Sequence, residues 1–89
     1  MARVRLPAVL RPLAEGAKTI DVIAPTYGAL RVGIVARYPA LADRLYDVDG
    51  RLKEFVSVFV EGEDARELAD DAPLATGSEV VLLPAVSGG

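Results

Sequence analysis

The sequence predicts a two-layer α+β domain, one main helix packed on a mixed sheet of four to five strands. Three observations point there. Residues 3–6 and 18–23 alternate polar and apolar, residues 27–38 place apolar side chains at spacings of three and four, and residues 55–60 and 79–83 are nearly continuous apolar runs. A period of two marks a strand with one buried face, a period near 3.6 marks a helix, and a short β-branched run marks a strand.

In order along the chain, Arg3-Val4-Arg5-Leu6 is the first strand, with Val4 and Leu6 facing the core and the arginines facing water. Leu10-Arg11-Pro12 and Glu15-Gly16 supply turn chemistry. Lys18 to Ile23 alternates again, with Ile20 and Val22 inward, and closes an amino-terminal hairpin. Thr26 is the expected N-cap of a helix whose stripe is Tyr27, Leu30, Ile34 and Tyr38. Pro39 should end it, since the residue before a proline is pushed out of the helical region.

Gly28 and Gly33 each cost that helix up to about 1 kcal/mol relative to Ala, so packing must hold it, and close approach to the sheet would explain Gly33. Residues 40–46 add a short helical turn carrying Leu41 and Leu45, and Asp47-Val48-Asp49-Gly50 is a turn. Phe55 to Val60 reads as a buried inner strand, apolar on both faces. Glu61-Gly62-Glu63-Asp64 turns into a short strand expected near Ala65-Arg66. A long loop, residues 68–77, is expected to be pinned by Leu74. Residues 79–83 form a second two-faced strand, and Pro84 ends it. The expected boundaries are a folded domain over 1–84 and a flexible tail over 85–89.

The side-chain inventory narrows the chemistry. The chain contains neither His nor Cys. This excludes Ser-His and Cys-His nucleophile pairs, zinc sites built on His or Cys, and any disulfide framework. A net charge of −3 disfavours nucleic acid as a partner, and Arg3, Arg5 and Arg11 read as a solvated strand face. No apolar stretch is long enough for a membrane helix, and the five apolar residues 6–10 are too few for a signal core, so the expected compartment is the cytoplasm.

Three constellations fail on inspection. Asp47-x-Asp49-Gly50 resembles the middle of a calcium loop, but the first and last ligand positions of that frame fall on Leu45 and Val56. The acidic stretch Glu61, Glu63, Asp64, Glu67, Asp70 and Asp71 has no apolar shell to shift a carboxyl pKa, so it reads as a solvated loop or a partner-facing acidic patch. Ser57 and Ser87 lack a His partner, and no P-loop sequence exists to bind ATP.

What is left is the ending, Pro-Ala-Val-Ser-Gly-Gly, residues 84–89. A terminal carboxylate on Gly89 is ionised at neutral pH and resists nucleophiles until it is activated, for instance as a mixed anhydride with AMP. Five residues beyond Pro84 extend about 17 Å, enough to enter another protein's pocket. Glycine suits such a tip because it has no Cβ to meet a narrow channel. Val86 would anchor the tail, and Ser87 and Gly88 would pass through the channel.

The whole chain resembles the ubiquitin-like β-grasp sulfur carriers of the ThiS/MoaD family. The resemblance rests on the hairpin, the Thr26 helix entry, Phe55 to Val60, and "GSEVVLLPAVSGG" from Gly77 to Gly89. The runs "VLRP" at Val9 to Pro12 and "FVSVFVEGEDAR" at Phe55 to Arg66 are most similar to the branch that supplies sulfur for cysteine biosynthesis. The resemblance implies a carrier with no catalysis of its own and no bound cofactor. An E1-like adenylyltransferase of the ThiF/MoeB type would use ATP and Mg to adenylate Gly89, and a sulfur donor would convert it to a thiocarboxylate. In the cysteine branch a PLP-dependent cysteine synthase would accept the sulfur and a metalloprotease would release the product; thiamine thiazole or molybdopterin are the other destinations. Two alternatives stay open: a ubiquitin-like protein modifier, or a small structural subunit of a molybdopterin-synthase-like complex.

Overall fold

Five strands form one mixed sheet in a computed structural model that describes residues 1–84, and two helices pack on one face of it. The strands are β1 (Ala2–Arg5), β2 (Thr19–Val22), β3 (Val56–Val60), β4 (Glu63–Asp64) and β5 (Glu79–Pro84); the helices are α1 (Tyr27–Arg37) and α2 (Pro39–Leu45). The spatial order is β2-β1-β5-β3-β4. The central strand β5 runs parallel to β1 and antiparallel to β3, and the two outer pairs are antiparallel. The expected α+β class and mixed sheet are observed.

The alternation read from the sequence sets the hairpin. Val4 and Leu6 are buried while Arg3 and Arg5 are exposed, and across the ladder Ile20 and Val22 are buried too. Between these strands, residues Ala8–Ala14 form a 3-10 helix where the sequence suggested only turns. Pro7, extended at φ −66°, sets its entry, and Leu10 and Ala14 reach the core. Glu15 and Gly16, at φ 59° and 82°, then reverse the chain into β2.

Helix α1 starts and stops where expected. Thr26 Oγ1 accepts from the Ala29 amide at 3.2 Å, and the helix ends at Arg37, two residues before Pro39 opens α2. Tyr27, Leu30 and Ile34 are buried in the core, and Tyr38 is half-buried against it. Gly33 is where α1 meets the sheet: a Cβ there would stand 2.5 Å from Val22 Cγ1.

The long loop after β4 is strapped to the start of α1 by backbone groups. Tyr27 N–H donates to Ala72 O at 2.9 Å and Gly28 N–H to Asp70 O at 2.8 Å, so two amides that a helix start leaves unpaired are satisfied. The Leu74 amide donates to Pro25 O at 2.9 Å, which pins the residue the sequence singled out. Gly28 also acquires a reason, because an added Cβ would sit 3.0 Å from the Asp70 carbonyl oxygen.

Two expectations need correcting. The short strand lies at Glu63–Asp64, two residues earlier than expected, because Glu61 and Gly62 take positive φ (50° and 83°) and make a two-residue hairpin turn. Ala65–Glu67 is instead a 3-10 turn capped by Asp64 Oδ1 on the Arg66 amide. Strands β3 and β5 also bury one face rather than two: Val56, Val58 and Val60 are buried, Ser57 and Phe59 are half-buried, and Phe55 is 56% exposed. Both helices lie on one side, so the other side of the sheet meets water.

Candidate functional site

The proposed tail residues Val86, Ser87, Gly88 and Gly89 lie outside the described residues; what the structure positions is their root. That root is β5, the central strand. Its backbone is paired on both sides, with β1 from Arg3↔Glu79 to Arg5↔Val81 and with β3 from Val60↔Val80 to Val56↔Pro84. Val80 and Leu82 point into the core and are buried, which fixes the strand's register: a slip of one residue would turn both to water.

The same register decides what the outward residues do. Val81 stands beside Arg5 on one side and Phe59 on the other, and Leu83 stands beside Ser57. Leu83 is 45% exposed, and Val81 and Phe59 are half-buried. The open sheet face therefore carries a short apolar stripe leading to Pro84. The sequence held a usable signal for it. Arg3 and Arg5 already said that one face of β1 meets water, so an adjacent strand apolar on both faces must expose part of itself there.

Cations flank the stripe. A groove of about 410 Å³ lined by Arg5, Arg11, Lys18, Leu6, Pro7 and Leu83 runs along it on the β1 side. Arg5 Nε is 3.1 Å from Glu79 Oε1, and Arg11 Nε donates to Leu6 O at 3.1 Å. Arg3 pairs with Asp21 at 3.4 Å. Arg3 and Arg5 form the solvated strand face expected of them, whereas Arg11 sits on the 3-10 helix. Exposed pairs of this sort contribute little to stability.

The acidic stretch does not converge. Asp64 caps a turn, and both oxygens of Asp70 accept from Arg31, at 3.0 and 3.3 Å. The Arg31 guanidinium holds the Asp70 carboxyl below its ordinary range. Among the described residues no group of three or more His, Cys, Asp or Glu could hold a metal ion. Asp47 Oδ1 accepts from the amides of Asp49 and Arg51, as a turn requires. Ser57 lies in β3, and Ser87 is outside the described residues. No helix among the described residues is long and apolar enough to cross a membrane.

Comparison with known proteins fits this geometry. The ThiS family matches residues 4–89. The sulfur carrier protein CysO of Mycobacterium tuberculosis is 37% identical over 89 residues, covering 97% of this chain and 96% of that protein. Small archaeal modifier protein 1 of Haloferax volcanii is 37% identical over 82 residues, covering 86% of this chain and 91% of that one. A crystal structure of the Amycolatopsis orientalis BexX/CysO complex superposes with a TM-score of 0.86 at 28% identity, covering 100% of both chains. These neighbours share the β-grasp arrangement described above.

Proposed function

Because the chain belongs to the ThiS family, we propose that it is a sulfur carrier whose Gly89 carboxylate is made reactive by a partner enzyme. The observation that carries this reading is the extent of the family match, which runs from residue 4 through the Gly-Gly ending to residue 89. In the first step a carboxylate oxygen of Gly89 attacks the α-phosphorus of ATP, bound with Mg in an E1-like adenylyltransferase, and pyrophosphate leaves. Sulfide then attacks the acyl carbon and AMP leaves, so one carboxylate oxygen has been exchanged for sulfur. The thiocarboxylate is the nucleophile passed to an acceptor enzyme. The 37% identity to CysO favours a PLP-dependent cysteine synthase as that acceptor, followed by a metalloprotease that frees the product.

The chain's own contribution is presentation. A strand paired on both flanks holds the root of the tail, and the enzyme that takes the tail must meet the sheet face around it. The apolar stripe of Val81, Leu83 and Phe59 suits an apolar counter-surface, and Arg5, Arg11 and Lys18 suit an acidic rim. That a relative is found in a BexX/CysO complex supports action through partners. With neither His nor Cys in the chain, the acid-base and thiol chemistry comes from those partners.

The test is the intact mass of the full chain after incubation with its cognate adenylyltransferase, Mg-ATP and sulfide. Replacement of one oxygen by one sulfur is expected, and its absence in a variant lacking Gly89 that unfolds at the same temperature. An unchanged mass in the intact chain would remove the proposal. The similarity to a small archaeal modifier favours a second use of the same activation, an isopeptide bond to lysine; lysine-linked conjugates in cell extract would distinguish it.

A further inference from the structure

A second concave site lies away from the tail root, between the start of α1, the turn after α2 and the 3-10 turn at Ala65–Glu67. It shares no lining residue with the groove beside Leu83. Its volume is about 490 Å³, within the range of small-molecule pockets. Although the whole chain is acidic, three arginines from three separate segments line this cavity, Arg31, Arg51 and Arg66, against two aspartates, Asp49 and Asp70.

Two of the three arginines are held by hydrogen bonds within the fold. A guanidinium offers five N–H groups. Arg31 spends two on Asp70, which holds the group in place. Arg66 donates one N–H from Nη2 to Lys53 O at 2.7 Å. Arg51 is fixed at its backbone by Asp47 Oδ1, and its side chain has no hydrogen-bond partner among the described residues. Most of the N–H groups are therefore unspent. The Tyr27 ring is buried and lines the cavity, and its hydroxyl makes no hydrogen bond among the described residues. Leu52, Ala65 and Leu68 give the cavity an apolar wall.

We propose that this cavity binds the oxyanion group, phosphate or carboxylate, of a small metabolite, with Arg31, Arg51 and Arg66 as its donors and the apolar wall holding its body. Planar guanidinium forks match the two oxygens of either group. The concavity favours a small molecule over a protein surface. Occupancy would tie α1 to the turns on either side of it and stabilise the fold by mass action. The proposal stands independently of sulfur carriage.

The test uses the full chain, isotope-labelled, titrated with phenyl phosphate, benzoate and inorganic phosphate while backbone amide shifts are followed. Saturable shifts confined to Gly50, Arg51, Arg66 and Leu68 are expected with phenyl phosphate or benzoate, and the stronger of the two names the group. Arg51→Gln, whose parent side chain makes no hydrogen bond or ion pair among the described residues, should weaken that binding about tenfold without lowering the melting temperature. Arg44→Gln, an exposed arginine outside the cavity, should leave it unchanged. Shifts that never saturate, or that spread equally to Arg3, Arg5 and Lys18, overturn the proposal. So does equal weakening by both variants, or binding of an acidic peptide but of none of the three probes.

Discussion

Replacing Gly33 by alanine sets helix propensity against packing, and the two disagree in sign. In an exposed helix interior Gly→Ala stabilises by about 1 kcal/mol. Here the new methyl would stand 2.5 Å from Val22 Cγ1, well inside the ordinary contact of about 3.5–4.0 Å. Val22 cannot easily retreat: it is 1% exposed, its strand is hydrogen-bonded to β1, and a β-branched side chain is stiff at χ1. Overpacking of this kind costs about 1–3 kcal/mol. After the propensity gain the net is a loss of about 1 kcal/mol, a fall of roughly 4–8 °C in Tm for a domain this small. Val22→Ala removes the obstructing atoms at a cost of about 2 kcal/mol by itself. In that background Gly33→Ala should become stabilising by about 1 kcal/mol, a coupling of about 2 kcal/mol. Urea denaturation of the four proteins, compared at equal m, measures the cycle. If Gly33→Ala stabilised the wild-type chain, the close approach of α1 to β2 would not exist as described.

Three further outcomes follow from other parts of the structure. Leu83→Glu, at a position 45% exposed on the open sheet face, should leave stability within about 0.5 kcal/mol while raising the carrier concentration needed for half-maximal adenylation; an unchanged concentration dependence would move the docking surface elsewhere. Thr26→Ala removes the oxygen that caps α1 and should cost about 1 kcal/mol in the same denaturation assay. Stability should also fall at both ends of the pH range. Burial is the main cause raising the pKa of Tyr27 and Tyr46, so their contribution is full below the ordinary value of 10.0 and is lost as pH rises above it. Arg31 lowers the pKa of Asp70, so that contribution is full above 3.8 and is lost as pH falls below it; Asp70→Asn should flatten the acid limb and leave the alkaline one.

Whatever was written in local periodicity was legible beforehand. The hairpin, the Thr26 cap, the Tyr27-Leu30-Ile34 stripe, the Pro39 break and the contact at Gly33 all follow from side chains within a few residues of one another, or from one residue's missing Cβ. The 3-10 helix at Ala8–Ala14 was missed because i→i+3 hydrogen bonding leaves no periodic signature in so short a segment. The short strand was misplaced because Glu61 supports a left-handed turn, a conformation its side chain does not advertise. The acidic stretch is the solvated loop expected of it, but the pairing of Asp70 with Arg31 was not legible, because the two lie 39 residues apart in sequence.

By itself the sequence determined the class of fold, the absence of His and Cys chemistry, and the Gly-Gly pair at residues 88–89. These rest on composition and on neighbours along the chain. The tertiary structure decided that β5 is the central strand, that Val81, Leu83 and Phe59 share one open face with Arg5, and that three arginines from distant segments line one cavity. Those facts depend on strand order and helix placement, which emerge only when separate segments compete to bury the same apolar faces.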